Sequence, residues 1–386
     1  MTRTRYALLF AVLVFAMPAE AVRKPQSASL APETLRQIEA IVESERGKEN
    51  IPGLSVAIAY GNRVVFAKGF GVADVEHSVP ATPETVYRTA SIAKSMTATS
   101  VMQLAEQGKL DLDAPIQKYC PAFPEKPWRV TARQLLGHLG GIRHYKSNQE
   151  SSGTQHFDTI VASLAIFKDE PLLHEPGTKY NYSTFGYSVL GCAIEGASGK
   201  SYVDYMQERI FQPAGMIHTG IDHFRQIIPH RARGYAVLNA TGFLQLSEAE
   251  RRSVKPGEIF NASLHDTSMK VPGGGLVSTA VDLARFAIAI NTLALVSEKT
   301  RSEMWTVQKT RDGQSTGYGL GWGVDGQGER MLVSHSGGQA GTSTLLTMMP
   351  SKGTIIAVMA NLQGANLGNM VGQIGRLLVP EQARPQ

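Results

Sequence analysis

Ser91-Ile92-Ala93-Lys94 sets a hydroxyl and an amine three residues apart at the start of an apolar stretch. Residues i and i+3 share one face of a helix, so the two side chains can touch. Ile92, Ala93, Met96, Val101, Met102, Leu104 and Ala105 recur at helical spacing, and Gly108 follows as a stop. Thr89-Ala90-Ser91 provides small and polar residues where the helix must begin. The positive end of a helix, together with burial, disfavours the ammonium form of Lys94. A neutral lysine can then accept the serine proton, making Ser91 a candidate nucleophile. The backbone N–H of Ser91 points at the same spot and is a candidate oxyanion donor. Alone, the pair reads as well as a helix cap and a solvated charge; it gains weight from partners elsewhere.

The elements that must position this pair can be read along the chain. Residues 32–48 form an amphipathic pattern with Leu35, Ile38, Ile41 and Val42 on one face. Residues 54–59 and 64–70 are β-rich runs joined by Tyr60-Gly61-Asn62-Arg63, a hairpin. A turn over residues 110–116 enters a short helix, and 131–138 form another that stops at Gly140-Gly141, before the loop Ile142-Arg143-His144-Tyr145. Residues 185–196 and 202–210 predict two more helices. Residues 222–270 are polar without a clean period and read as a long surface excursion. Pro272-Gly273-Gly274-Gly275-Leu276 is a tight turn near the site, lacking the Lys and Ser/Thr of a phosphate loop, ahead of a helix over 279–290. Strands return at 330–335, 342–349 and 354–360, one more begins in 317–323, and 366–379 close the chain as a helix. Strands at both ends with helices between predict an α+β fold. An antiparallel sheet built from residues 32–85 and 280–380 is flanked by helices, and a mostly helical subdomain, 86–279, is inserted. The cleft between the two parts of this single catalytic unit is the expected place for a site.

Composition bounds the function. The chain is 42% hydrophobic and 18% charged, as a soluble globular enzyme is, and 386 residues suffice for a large core. Its net charge of +5 is dispersed, without basic runs interleaved with aromatics, which excludes a nucleic-acid reading. No C-x-x-C or H-E-x-x-H occurs, so neither a metal nor another cofactor is expected. Residues 1–21 read as a secretory leader: Arg3 and Arg5, an apolar run over 7–17 too short to span a membrane, and Ala19-Glu20-Ala21 before the cut. Its removal takes two arginines and a glutamate, leaves a net charge of +4 and no integral span, and implies a periplasmic or secreted enzyme. Cys192 sits in an apolar helical run, so Cys120 and Cys192 are expected as free thiols, though the compartment would permit a bridge.

Two further segments give Ser91 and Lys94 their context. Tyr180-Asn181-Tyr182-Ser183-Thr184 lies in the helical middle, and His335-Ser336-Gly337-Gly338 closes a late strand. With these, the chain over residues 32–380 resembles the serine β-lactamase and penicillin-binding-protein superfamily, on its class C and esterase side. There S-x-x-K opens a helix, a Y-x-N tyrosine comes from the helical domain, and K-T-G or H-x-G lies on the inner strand. The segment from Gln134 to Tyr145 and the run Tyr182-Ser183-Thr184-Phe185-Gly186-Tyr187 look like the branch holding the mitochondrial serine β-lactamase-like protein and its bacterial relatives.

The resemblance implies roles. Ser91 attacks a carbonyl, Lys94 and the Tyr182 phenol share the part of base, and the N–H groups of Ser91 and Gly338 hold the oxyanion. Thr184, His335, Gly337 and Tyr145 contact the substrate. A charged Lys94 is expected to lower the Tyr182 pKa so that the pair titrates as a unit. Two positions depart from the family. Thr184 replaces an asparagine and cannot offer both an amide donor and a carbonyl acceptor. His335 replaces a lysine and is largely neutral at pH 7, so it attracts a carboxylate less. The reading is a serine hydrolase of esters or small peptides. Its alternatives are a penicillin-binding D-alanyl-D-alanine carboxypeptidase, a class C-like β-lactamase, or a self-assembling structural protein with vestigial activity. The expected partner is a small-molecule or peptide substrate, and the branch also implies self-association.

Overall fold

The computed structural model describes residues 30–237, 247–253, 255 and 257–379. The leader expected over residues 1–21 lies outside them. Helix α1 (Pro32–Lys48) is followed by strands β1 (Gly53–Tyr60), β2 (Arg63–Asp74), β3 (Val79–Pro80) and β4 (Tyr87–Arg88). A 3-10 turn at Ala90–Ile92 opens α2 (Ala93–Glu106), and then come α3 (Ala132–Leu136), α4 (Asn148–Ser151), α5 (Ile160–Ser163), α6 (Thr184–Ser198) and α7 (Tyr202–Met206). The short strands β5 (Gly220–Ile221), β6 (Tyr235–Val237) and β7 (Ile259–Asn261) surround α8 (Glu248–Ser253). Next are α9 (Val271–Gly274), β8 (Leu276–Ser278), α10 (Ala280–Asn291) and α11 (Glu298–Met304). The chain ends with β9 (Gly323–Asp325), β10 (Leu332–Gln339), β11 (Thr342–Met349), β12 (Thr354–Ala360) and α12 (Gly368–Leu378).

Among the described residues the main sheet has the order β3-β2-β1-β12-β11-β10-β9, with antiparallel pairing throughout, so first and last strands meet at its centre. Here Leu54 pairs with Ala360 and Tyr60 with Thr354. Alternation along β12 explains the layers, since successive side chains of a strand point to opposite faces. Ile356, Val358 and Ala360 join Ile38, Val42, Met370 and Ile374 of α1 and α12 on one face. Ile355, Ala357 and Met359 join the larger core with Leu283, Phe286 and Ala287 of α10 on the other. Both faces are covered, so β12 is buried along its whole length. Burying each large aliphatic side chain here is worth roughly 1.5–3 kcal/mol. The α+β architecture read from the sequence is therefore the architecture found.

Two local readings are corrected. Cys120 and Cys192 form a disulfide with a Cα–Cα distance of 5.4 Å. Cys192 is on the apolar face of α6, as its neighbours suggest, but that face packs directly on the loop of Cys120. A Cβ on Gly196 would lie 1.9 Å from the Tyr119 carbonyl oxygen, so glycine is what lets the loop approach. Residues 222–270 are not simply a surface excursion: Asp222, His265, Asp266, Thr267 and Lys270 are buried. Hydrogen-bonded and ion-paired polar groups fill this interior, so hydrophobic periodicity could not reveal it. The strand expected to begin in 317–323 starts at the last of these residues, Gly323, after buried turns over 318–322.

Candidate active site

Ser91 owes its position to a left-handed residue. Ala90 has φ 46°, which side chains with a Cβ rarely adopt, and this turns the chain from β4 into the helix. The turn is held on both sides: the Thr89 N–H donates to the Leu276 carbonyl at 2.9 Å, and the Thr344 hydroxyl donates to the Thr89 carbonyl at 2.9 Å. Strand β10 presses on it because residue 337 is glycine. A Cβ there would sit 2.5 Å from the Thr89 carbonyl oxygen and 3.0 Å from the Ala90 Cβ. No side chain caps the start of this helix, so the small residues at 89–91 serve the turn rather than capping.

Lys94 is fully buried one turn on, with Nζ 3.0 Å from the Ser91 hydroxyl oxygen. It also donates to the Gly273 carbonyl at 2.6 Å and to the Thr184 hydroxyl at 3.0 Å. Burial, reinforced by the charge of Lys270, holds its pKa well below the ordinary lysine value. A neutral amine suits these contacts: it donates to Gly273 and Thr184 and keeps its lone pair for the Ser91 O–H. The glycine turn read from the sequence thus supplies a carbonyl to the site.

The start of α6 supplies the next groups. Ser183 caps this helix by accepting the Gly186 N–H, its hydroxyl donates to the Arg143 carbonyl at 2.7 Å, and its own N–H donates to His138 Nδ1 at 3.1 Å. These bonds fix Tyr182 and Thr184 on either side. The Tyr182 ring centroid is 4.8 Å from Lys94 Nζ, and its hydroxyl hydrogen-bonds Ser91. Burial raises the Tyr182 pKa above the ordinary tyrosine value, the Ser91 contact opposing it. The expected lowering by a charged Lys94 does not occur, because desolvation pushes both groups toward their neutral forms. The Thr184 hydroxyl accepts from Lys94 and also bonds the Tyr145 hydroxyl.

Strand β10 forms the opposite wall. β9 pairs with it only as far as Ser334, which leaves residues 335–339 with one open edge. Gly338 lies on that edge with open space around its Cα. His335 behaves differently from a pocket cation. It is buried, its Nδ1 lies 2.6 Å from the Ser336 carbonyl oxygen and its Nε2 2.8 Å from the Tyr318 hydroxyl. A carbonyl only accepts, so Nδ1 carries the proton and Nε2 accepts from Tyr318. Both nitrogens are spent, and burial with the nearby Lys94 charge takes the His335 pKa down to about 3.

A cavity of about 80 Å³ over Ser91 is lined by Tyr145, Thr184 and Gly338, together with His144, Lys270 and Gln339. Ser91, Lys94, Tyr182, Thr184, Tyr145 and Gly338 are therefore brought together. His335 lies beneath, and Gly337 serves packing. Sequence reasoning missed Lys270, Gln339 and His144. The signal for Lys270 was its place two residues before the glycine turn; its reading was lost in the polar stretch.

A family profile described as Beta-lactamase matches residues 38–374. The human protein "Serine beta-lactamase-like protein LACTB, mitochondrial" is 30% identical over 426 residues, covering 82% of this chain and 75% of its own. Among solved structures, the octameric penicillin-binding protein homologue from Pyrococcus abyssi is 27% identical with a TM-score of 0.73, covering 89% of this chain and 77% of its own. D-amino acid amidase from Ochrobactrum anthropi shares the fold with a TM-score of 0.74 at 22% identity, covering 89% and 97%.

Proposed function

The chain belongs to the serine β-lactamase and penicillin-binding-protein superfamily, and from that premise we propose that it is a serine hydrolase forming an acyl-enzyme on Ser91, with esters or small peptides as substrates. The observation that carries this reading is the three-point seat of Lys94: 3.0 Å from Ser91, 3.0 Å from Thr184 and 2.6 Å from the Gly273 carbonyl. As Ser91 Oγ bonds to the substrate carbonyl carbon, its proton passes to Nζ. The ammonium so formed has three N–H groups and three acceptors already in place, so protonation leaves no donor unpaired. The N–H groups of Ser91 and Gly338 hold the tetrahedral oxyanion. Its collapse breaks the bond to the alcohol or amine, which leaves with a proton relayed through Tyr182 from Lys94. Water then attacks the ester by the reverse path and frees the acid.

Esters and small peptides are favoured over β-lactams by the two departures. A β-lactam brings a carboxylate, and neutral His335 with both nitrogens engaged gives it no charged partner. It also brings an amide side chain, to which Thr184, already committed to Lys94, offers little. Each charge-assisted bond lost costs roughly 1.5–3 kcal/mol. Fluorophosphonate treatment followed by intact mass and peptide mapping tests the nucleophile: one adduct on the Ser91 peptide is expected, and one that persists in Ser91→Ala overturns it. The matched assay is 4-nitrophenyl butyrate against nitrocefin. A kcat/KM for nitrocefin above the ester value would make the protein a working lactamase.

We also propose export to the periplasm or exterior with a cut after Ala21. The Cys120–Cys192 bridge supports an oxidising compartment. Amino-terminal sequencing of the exported protein should begin at Val22.

A further inference from the structure

The pocket over Ser91 has two polar donors that the chemistry above leaves unused. Lys270 is 3% exposed; its Nζ donates to the Ser151 carbonyl at 2.8 Å and stands 5.5 Å from the Tyr145 ring centroid. An ammonium has three N–H groups, and a buried one without a carboxylate is costly. The carboxylates on adjoining segments are taken. Asp222 is paired with Arg88 and Arg231, Asp266 with His156 and the Ser268 N–H, and Glu150 with Arg143. Gln339 is 5% exposed and also lines the cavity, and its amide Nε2 has no hydrogen-bond partner. Not one of the lining residues is acidic. The cavity therefore combines a buried cation, an unpaired amide donor and the candidate nucleophile, with no anion among the described residues that line it.

We propose that Lys270, with the Gln339 amide beside it, receives a carboxylate of the acyl substrate, so that the preferred substrates are short acyl donors bearing a negative charge. This rests on Ser91 being the acylated residue. It places the charged partner of the anion on the helical wall, where Lys270 leads α9, with Gln339 at the end of β10 beside it, rather than on His335, which is neutral and occupied. A carboxylate has the acceptor sites to take the spare Lys270 N–H and the Gln339 N–H together. The lowered pKa of Lys270, about 7 through burial and the Arg88 charge, marks the same deficit of negative charge.

The test compares two esters of one shape: mono-4-nitrophenyl adipate, with a free carboxylate, and the 4-nitrophenyl ester of adipic acid monoamide. The ratio of their kcat/KM values is read within each protein, so a general loss of activity cancels. The wild type should favour the carboxylate ester by roughly 10- to 100-fold, chiefly in KM. Lys270→Met should bring the ratio to about one, Lys270→Arg should keep a preference, and Gln339→Met should lower it in part. If Lys270→Met fails to fold, judged by loss of fluorophosphonate labelling at Ser91, the wild-type ratio and Gln339→Met still decide. A wild-type ratio near one with Ser91 labelled overturns the carboxylate site and leaves the hydrolase reading standing. A preference that survives Lys270→Met overturns the assignment to Lys270. Failure of both esters, with no label on Ser91, overturns the hydrolase reading and this proposal with it.

Discussion

The two walls of the pocket bury their basic residues for opposite ends. On the helical wall Lys94 is sealed from water with its nitrogen turned to Ser91. On the strand wall His335 is sealed with both nitrogens turned to the protein's own Ser336 and Tyr318. Burial lowers the pKa of each. For Lys94 the result is an amine that can accept a proton; for His335 it is a ring with no charge and no free lone pair to give. Desolvation thus makes a base where the lone pair faces the reacting oxygen, and a strut where it does not.

The largest effects should separate these walls. Lys94→Met is expected to lower kcat on 4-nitrophenyl butyrate by about 10²- to 10⁴-fold, the usual range for a general base. His335→Gln should cost less than about tenfold, because Gln can still bond Tyr318. Equal losses in steady-state kinetics would break the contrast and put His335 in the chemistry. Tyr182→Phe should come between, at about 10- to 100-fold in kcat, since it removes a relay while Lys94 remains. A loss below about threefold would make the phenol a packing residue.

The pH profile sharpens the same comparison. Lys94 acts in its neutral form, so kcat/KM on the neutral ester should rise with pH through its lowered pKa and stay level above it. The carboxylate ester should rise likewise and then fall above about pH 7, as Lys270 loses its charge. Around Lys270, Arg88 keeps its charge in this range, while His265 at about 2 and His144 at about 4 stay neutral. The Tyr145 pKa is raised by burial, so it is neutral too. Two lysines then shape the curve. Matching falls for both esters would remove Lys270 from the difference.

The same contrast explains what the sequence made legible. Ser91 and Lys94 lie three residues apart on one helix, and a helical period suffices to bring them together. The strands of the sheet alternate or run apolar, so their places were readable, as was a sheet drawn from both ends of the chain; the pairing of the last strand with the first came from the structure. Recognition is assembled otherwise. Lys270 and Gln339 are 69 residues apart and meet only because α9 and β10 face one cavity. Ala90 carries no sequence mark for a left-handed turn, and the committed nitrogens of His335 depend on Tyr318, whose segment read as a strand start. The cysteines were misread for the same reason. Cys192 was judged by its own helix, and the partner loop comes from 72 residues away.

That disulfide gives the smallest expected effect on catalysis. It ties the Cys120 loop to α6, the helix whose first turn carries Thr184 and follows Tyr182, and it makes no part of β10. Tyr182 and Thr184 are already fixed by the Ser183 cap and by the bonds of Ser183 to Arg143 and His138. Closing a loop of this length lowers the entropy of the unfolded chain, a stabilisation of about 4 kcal/mol in the loop-closure account. Replacing both cysteines with serine should therefore lower Tm by several degrees in differential scanning calorimetry. At 25 °C the ester-to-nitrocefin ratio should change less than about twofold. A large change in that ratio at unchanged fold would mean that the tether, rather than the Ser183 bonds, sets the helical wall.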